Sequence, residues 1–535
     1  MNKTFTSNGI SSLYAFLLGG LHVGWSNTIS GNQFQYILRA INPSTAQLQN
    51  DWYLTTSDAN YIFTNFSKII YLNFNIHGIV LAGIILNGLG FLYLTKIGLL
   101  FLNHENKSLP FLLSSVLALT LSNFTLEIDW GLAGMGVFSP SLQPSSFGIF
   151  LIVAIYYLIK HCRDLNGISK NHSSFRLFNI YLLIAATFHP SLIISGIILY
   201  FSFLLSIIKK RKLNSFHLYT SFSALVIISL FNLRFIWATL RSQGLEFQEA
   251  QYFLALERIP YHAVPTYFMG LENTLRVIIM IMFVALFSNS YRTAVETLFF
   301  QFLTIVTLII LLSQYFAFNP AISLSLPWRI TGLLYPLAVV YILVDFFNFI
   351  REKNFEKIKT SFYLLILVLL AISNTRFTVL LLLIVFFQLF KKAIVSIVIL
   401  TSIMIISLLV GFQNQLQVNS AWNQSKDIFI SSKDITEVRN WGAGIVPEEF
   451  SNLRSEYRFS LYVDYKSVPF FPDDLVEWVK RVNKARDLLS NPSQLCASEI
   501  SGVKWIMIPN ESKPNCFKQF FPVQDGNFSF VRLRE

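Results

Sequence analysis

The stretch LIISGIILYFSFLLSIIKKRK, residues 192–212, sets the reading of the whole chain. Residues 192–208 hold no charge, and an apolar run of that length approaches what a helix needs to cross the roughly 30 Å hydrocarbon core of a bilayer. Four adjacent cations follow at once, Lys209-Lys210-Arg211-Lys212. Translocating them against the membrane potential is unfavourable, which predicts a cytoplasmic position for this loop.

Working outward from that anchor, comparable runs lie at about 10–29, 72–95, 110–126, 145–159, 177–190, 217–237, 274–288, 294–317, 330–348, 360–373, 377–390 and 393–411. They predict a polytopic α-helical membrane protein with about 11–13 transmembrane helices. Composition agrees: of 535 residues, 53% are hydrophobic, 13% are charged and 52 are Phe, more apolar area than a soluble core absorbs. The first run lacks a small-residue cleavage site and is expected to remain as a helix. The net charge of +12 resides in short clusters between apolar runs, so the chain reads as having cytoplasmic basic loops and no nucleic-acid partner.

Alternation from the Lys209 anchor puts Lys96 and Lys107, Lys160 to Arg176, Arg292, Arg351 to Lys359 and Lys391-Lys392 inside. The opposite face then carries the Asp51 loop (Gln49-Asn50-Asp51-Trp52-Tyr53-Leu54), the loop with Glu127 and Asp129, the Phe188-His189-Pro190 break, the segment 238–270 with Arg258 and His262, and Pro327-Trp328-Arg329. These expectations give a cytoplasmic N-terminus and a non-cytoplasmic tail. Transmembrane residues 1–411 and a tail of 412–535 form the expected domains. In the tail, residues 427–431, 459–463, 505–509 and 528–533 read as strands, and Asp473-Asp474 as the cap of a helix reaching about Leu489, which together predict a small α/β domain.

No glycine-rich phosphate loop, zinc-ligand spacing or nucleophile elbow is present in the sequence. Taken singly, Asp51, Asp129, His189, Arg258, His262 and Arg329 have ordinary readings: a capping acid, a snorkelling Arg, a His that binds a freed carbonyl. Taken together on one face, they offer one carboxylate base and several phosphate-binding cations. Asp51, Asp129, His189 and His262 could also ligate a divalent cation, although no cofactor is required by their spacing.

The order of these features resembles the GT-C superfamily of membrane glycosyltransferases. Arg258-Ile259-Pro260-Tyr261-His262, Pro327-Trp328-Arg329-Ile330, Tyr457-Arg458-Phe459, Val463-Asp464-Tyr465-Lys466-Ser467-Val468-Pro469 and Glu477-Trp478 are similar to segments of a bacterial polytopic family of unknown function. The resemblance implies transfer of a sugar from a polyprenyl-phosphate carrier to a glycan, lipid or protein acceptor, on the non-cytoplasmic side of a bacterial inner membrane. Asp51 would match the superfamily's first-loop acid and take the acceptor proton, with Arg258, His262 and Arg329 on the carrier phosphate. Many members carry paired acids in that loop, whereas Asp51 stands beside Asn50. A lipid-linked glycan flippase or polymerase, and a non-catalytic protein of the same fold, remain alternatives. The two tail cysteines, Cys496 and Cys516, are expected either to form a bridge or to remain buried thiols.

Overall fold

The computed structural model describes residues 2–23, 33–41, 48, 50–102, 110–111, 113–114, 117, 138, 142–165, 172–242, 244–267, 271–287, 293–352, 432–450, 453–494, 502–512, 519–523 and 527–532. The expected spans at 360–411, Glu127, Asp129, the strand at 427–431, Cys496 and Cys516 lie outside the described residues.

In chain order the helices are α1 (Asn2–Val23), α2 (Gln33–Ile41), α3 (Trp52–Thr55), α4 (Tyr61–Phe101), α5 (Ile149–Asp164), α6 (Ser173–Phe188), α7 (Pro190–Lys209) and α8 (Ser215–Phe231). They continue with α9 (Leu233–Arg241), α10 (Leu245–Phe253), α11 (Leu271–Phe287), α12 (Ala294–Phe316), α13 (Thr331–Glu352), α14 (Ser432–Asn440) and α15 (Pro472–Ser490). Four strands, β1 (Gly444–Ile445), β2 (Trp505–Pro509), β3 (Gln519–Pro522) and β4 (Phe528–Arg532), lie near the C-terminus. Among the described residues five helices are long and apolar enough to cross a membrane, and a sixth if α8 and α9 are one broken span. That is the property of an integral membrane protein.

Two compact units divide the chain. The helical unit comprises residues 1–27, 80–231 and 260–415. Its helix ends follow local chemistry. Pro190 occupies the first position of α7, where its missing N–H costs nothing, and His189 caps it by accepting from Ser191 N. At the start of α12 the Thr293 hydroxyl accepts from Glu296 N, while the Glu296 carboxylate accepts from Thr293 N at 2.5 Å, a reciprocal capping box. In this unit α6 packs on α5 and α8, α12 on α7, and α13 on α11.

The mixed unit comprises residues 28–79, 232–259 and 416–535. The tail therefore does not close on itself at the expected 412 boundary but shares its unit with two earlier segments. Its sheet runs β1-β2-β4-β3, with β1 parallel to β2 and the other pairs antiparallel. Trp505, Met507, Phe530, Phe459, Leu461, Val438 and Trp441 form its core. The central strand β2 is buried on both faces from Trp505 to Ile508, which its unbroken apolar run required. Gly444 has no space for a Cβ, because the Trp505 indole occupies that position.

Two expectations for the tail need correction. Residues 459–463 are not a strand: Leu461 makes one bridge to Gly444, while its N–H and carbonyl bond to Asp51 Oδ2 and Trp52 N. The Asp51-Trp52 segment takes the positions a ladder would use. The cap of α15 is Phe471, with Pro472 at the first helical position. Asp473 and Asp474 sit in the first turn, where the helix dipole favours them, and Asp474 accepts from Ser57 N at 2.8 Å.

Candidate functional site

Asp51 belongs to the mixed unit and caps α3, with Oδ1 accepting from Leu54 N at 3.3 Å. Its Oδ2 accepts from Leu461 N at 3.1 Å. Arg454 lies behind it, Nη1 standing 3.6 Å from Asp51 Oδ1 and 3.3 Å from Asp464 Oδ2. The same guanidinium donates from Nη2 to Ser467 Oγ at 2.6 Å and covers the Tyr53 ring at 4.8 Å. Asp464 in turn accepts from Lys466 N and Ser467 Oγ, and its carbonyl accepts from Trp478 Nε1 at 3.0 Å. The Asp-Tyr-Lys-Ser and Glu-Trp segments are thus one hydrogen-bonded assembly around Arg454.

Electrostatics follow from burial. Desolvation raises the Asp51 pKa, opposed by the Arg454 charge and the two backbone donors and reinforced by Asp464. Burial penalises the Arg454 charge, but Asp51 and Asp464 outweigh it and the net shift is upward. A general base has to come within about 2.6–3.2 Å of the proton it takes. Asp51 is 0% exposed; in this arrangement it anchors the segment before α3 to the tail and presents no surface to an acceptor hydroxyl.

Arg258, also in the mixed unit, closes a π turn, Leu254–Arg258, that continues α10. Its Nε donates to the Tyr465 carbonyl at 2.7 Å and its guanidinium covers the Tyr465 ring at 5.1 Å. It clamps the 464–467 loop. Beside that loop Glu448, Asp464, Tyr465 and Arg486 line a small groove open to solvent.

The other three described candidates meet in the helical unit. His189 ends α6 and caps α7 in extended backbone, which Pro190 imposes on its predecessor. The turn Pro327–Ile330 packs against the start of α7 and carries Arg329. Arg329 Nη1 donates to Ser191 Oγ and lies 3.4 Å from both ring nitrogens of His189. Ser191 Oγ is 2.9 Å from His189 Nδ1, which also accepts from Ser191 N. Trp328, buried, donates from Nε1 to the His262 carbonyl at 2.7 Å and so brings His262 to the same turn. Leu326, before Pro327, has φ 54° and ψ 52°, a left-handed conformation unusual for a branched side chain.

The arrangement of Arg329, Ser191 and the first turn of α7 suits an anion, because guanidinium and helix N-terminus both favour negative charge. Asp129 lies outside the described residues. Sequence reasoning missed Ser191 and Arg454. Ser191 was detectable as a hydroxyl directly after His-Pro at a helix start; Arg454 carried no local signal, since a lone Arg in a polar tail is ordinarily a surface residue. No family model matches this chain and no curated protein matches it.

Proposed function

We propose that this chain is a membrane glycosyltransferase that takes a sugar from a polyprenyl-phosphate carrier and attaches it to an acceptor on the non-cytoplasmic face. The observation that carries this reading is the Arg329–Ser191–His189 cluster at the start of α7, a helix long enough to cross a membrane. Lys209 and its cationic neighbours mark the other end of that helix, so the positive-inside rule assigns the cluster to the far side of the bilayer. A lipid phosphate lies at such a helix end. Arg329 would hold the phosphate and stabilise charge on it as the sugar leaves. Asp51 serves this reading by fixing the first external loop; as the acceptor oxygen bonds to the sugar and the sugar–phosphate bond breaks, the acceptor's proton leaves with the departing polyprenyl phosphate.

The test uses purified chain in lipid nanodiscs, with polyprenyl phosphate binding and transfer from a polyprenyl-phosphate sugar both measured. Arg329→Lys keeps the charge but loses the planar fork; binding is expected to weaken by at least about 10-fold, with the melting temperature unchanged. Binding without transfer would favour a flippase. Binding that is absent in the natural sequence, or unaltered in Arg329→Lys, would remove the proposal.

A further inference from the structure

Three histidines from three different helices converge in the helical unit, away from the cluster just described. His161 lies in the last turn of α5, His172 precedes α6 as its N-cap, and His217 lies in the first turn of α8. One ring nitrogen from each lies within 4.8 Å of the other two. His161 Nε2 and His217 Nε2 are 2.9 Å apart, although 56 residues separate them in sequence. His161 and His217 are buried.

The surroundings do not explain why three imidazoles meet there. Phe175, Phe203 and Phe216 ring the cluster, with Phe175 centred 5.0 Å from His161 and Phe216 4.2 Å from His172. The Nδ1 atoms of all three histidines are buried without a hydrogen-bond partner. Between His161 and His217 only one ring can carry a proton on Nε2. The donor ring then has a bare Nδ1 and the acceptor ring a protonated Nδ1, each buried and unmatched, an expensive arrangement in an apolar cage. A cation shared by Nε2 of His161, Nε2 of His217 and one ring nitrogen of His172 replaces that single weak bond with several strong ones.

Coordination geometry is compatible. Zinc–nitrogen bonds of 2.0–2.1 Å in a tetrahedron place the nitrogens about 3.3 Å apart. The separations of 2.9 Å and at most 4.8 Å bracket that spacing, so side-chain rotations that move a ring nitrogen by up to about 1.5 Å complete it. Three neutral imidazoles without a carboxylate select a late first-row transition ion over Ca²⁺ or Mg²⁺ and leave a fourth position for water or an anion.

We propose that His161, His172 and His217 form a three-imidazole site for a transition-metal ion of the zinc class, which clips the end of α5 to the starts of α6 and α8. The loop before α8 is already tied to the end of α5, since Lys212 Nζ donates to the Leu165 carbonyl at 2.6 Å, and it is fixed on α8 by Asn214 Oδ1, which accepts from His217 N at 3.0 Å. The ion would fix the side chains as these bonds fix the backbone.

The full chain, purified in detergent without a polyhistidine tag and stripped by chelator, is titrated with Zn²⁺, and Co²⁺ is used as a spectroscopic probe. One equivalent bound, a higher melting temperature on adding Zn²⁺, and the visible bands of tetrahedral Co²⁺ are expected. His172→Ala should keep the fold, since His172 is half-buried and its side chain makes no cap bond. It should nevertheless weaken Zn²⁺ binding by at least about 100-fold, because loss of even an outer-shell partner costs 10–100-fold. Substitution of the exposed His77 should change neither quantity. Substoichiometric Zn²⁺ in the natural sequence, or equal affinity in His172→Ala, would overturn the proposal.

Discussion

Arg454 is 2% exposed and faces two carboxylates, so its site holds more negative than positive charge when both acids are ionised. Burial is the largest influence on Asp51 and outweighs the Arg454 charge, with Asp464 adding a smaller push in the same direction, so the Asp51 pKa moves up rather than down. Asp51 consequently binds its proton more readily in the folded chain than in the unfolded one. Its contribution to stability is greatest below the unfolded value near about 3.9 and declines as pH rises toward the raised folded value. Melting temperatures of Asp51→Asn measured across that window should lose this component, the natural sequence gaining on the variant as pH falls. At neutral pH the amide nitrogen of Asn has to face either Leu54 N–H or Leu461 N–H, a cost of about 1–3 kcal/mol. Arg454→Met leaves two acids buried without their counter-charge and should cost about 3–5 kcal/mol. A denaturation series in which Asp51→Asn is the more damaging change would contradict this ordering.

At the scale of the element, breaks rather than lengths distinguish these helices. Asn75 interrupts α4 with φ 56° and ψ −156°, its Oδ1 accepting from Ile76 N at 2.8 Å. Such a backbone is open essentially to glycine alone, so Asn75 holds it under strain and a β-branched residue would be worse. Asn75→Gly should relieve about 1–3 kcal/mol of that strain and raise the melting temperature, whereas Asn75→Val should lower it. Equal melting temperatures for the two variants would show that the break is not strained. The break escapes sequence reading because Asn75 lies within an otherwise apolar run, and hydropathy averages across it. The opposite holds at His189-Pro190, where proline alone marked the boundary between α6 and α7.

For the whole molecule, the charge pattern makes one prediction that concerns the bilayer. With Cys496 and Cys516 replaced, a cysteine introduced at Lys210 should react with an impermeant thiol reagent only from the cytoplasmic side, and one at Asp473 only from the opposite side. Cys162 is buried and should stay silent. Labelling of both sites from the same side would rule out the proposed topology, and labelling on exchanged sides would reverse it. The sequence by itself determined the helical membrane class, the proline start of α7, the strands β2 and β4, and the extent of α15. Each of these depends on side chains a few residues apart, where hydropathy period, capping and proline geometry act directly. Only the tertiary structure decided that Asp51 meets Leu461, 410 positions away, that Arg454 joins them, and that His161, His172 and His217 share one aromatic cage. Such pairings are selected by burial and charge compensation after distant segments have closed on one another, and no local pattern encodes the partner of a lone charged residue.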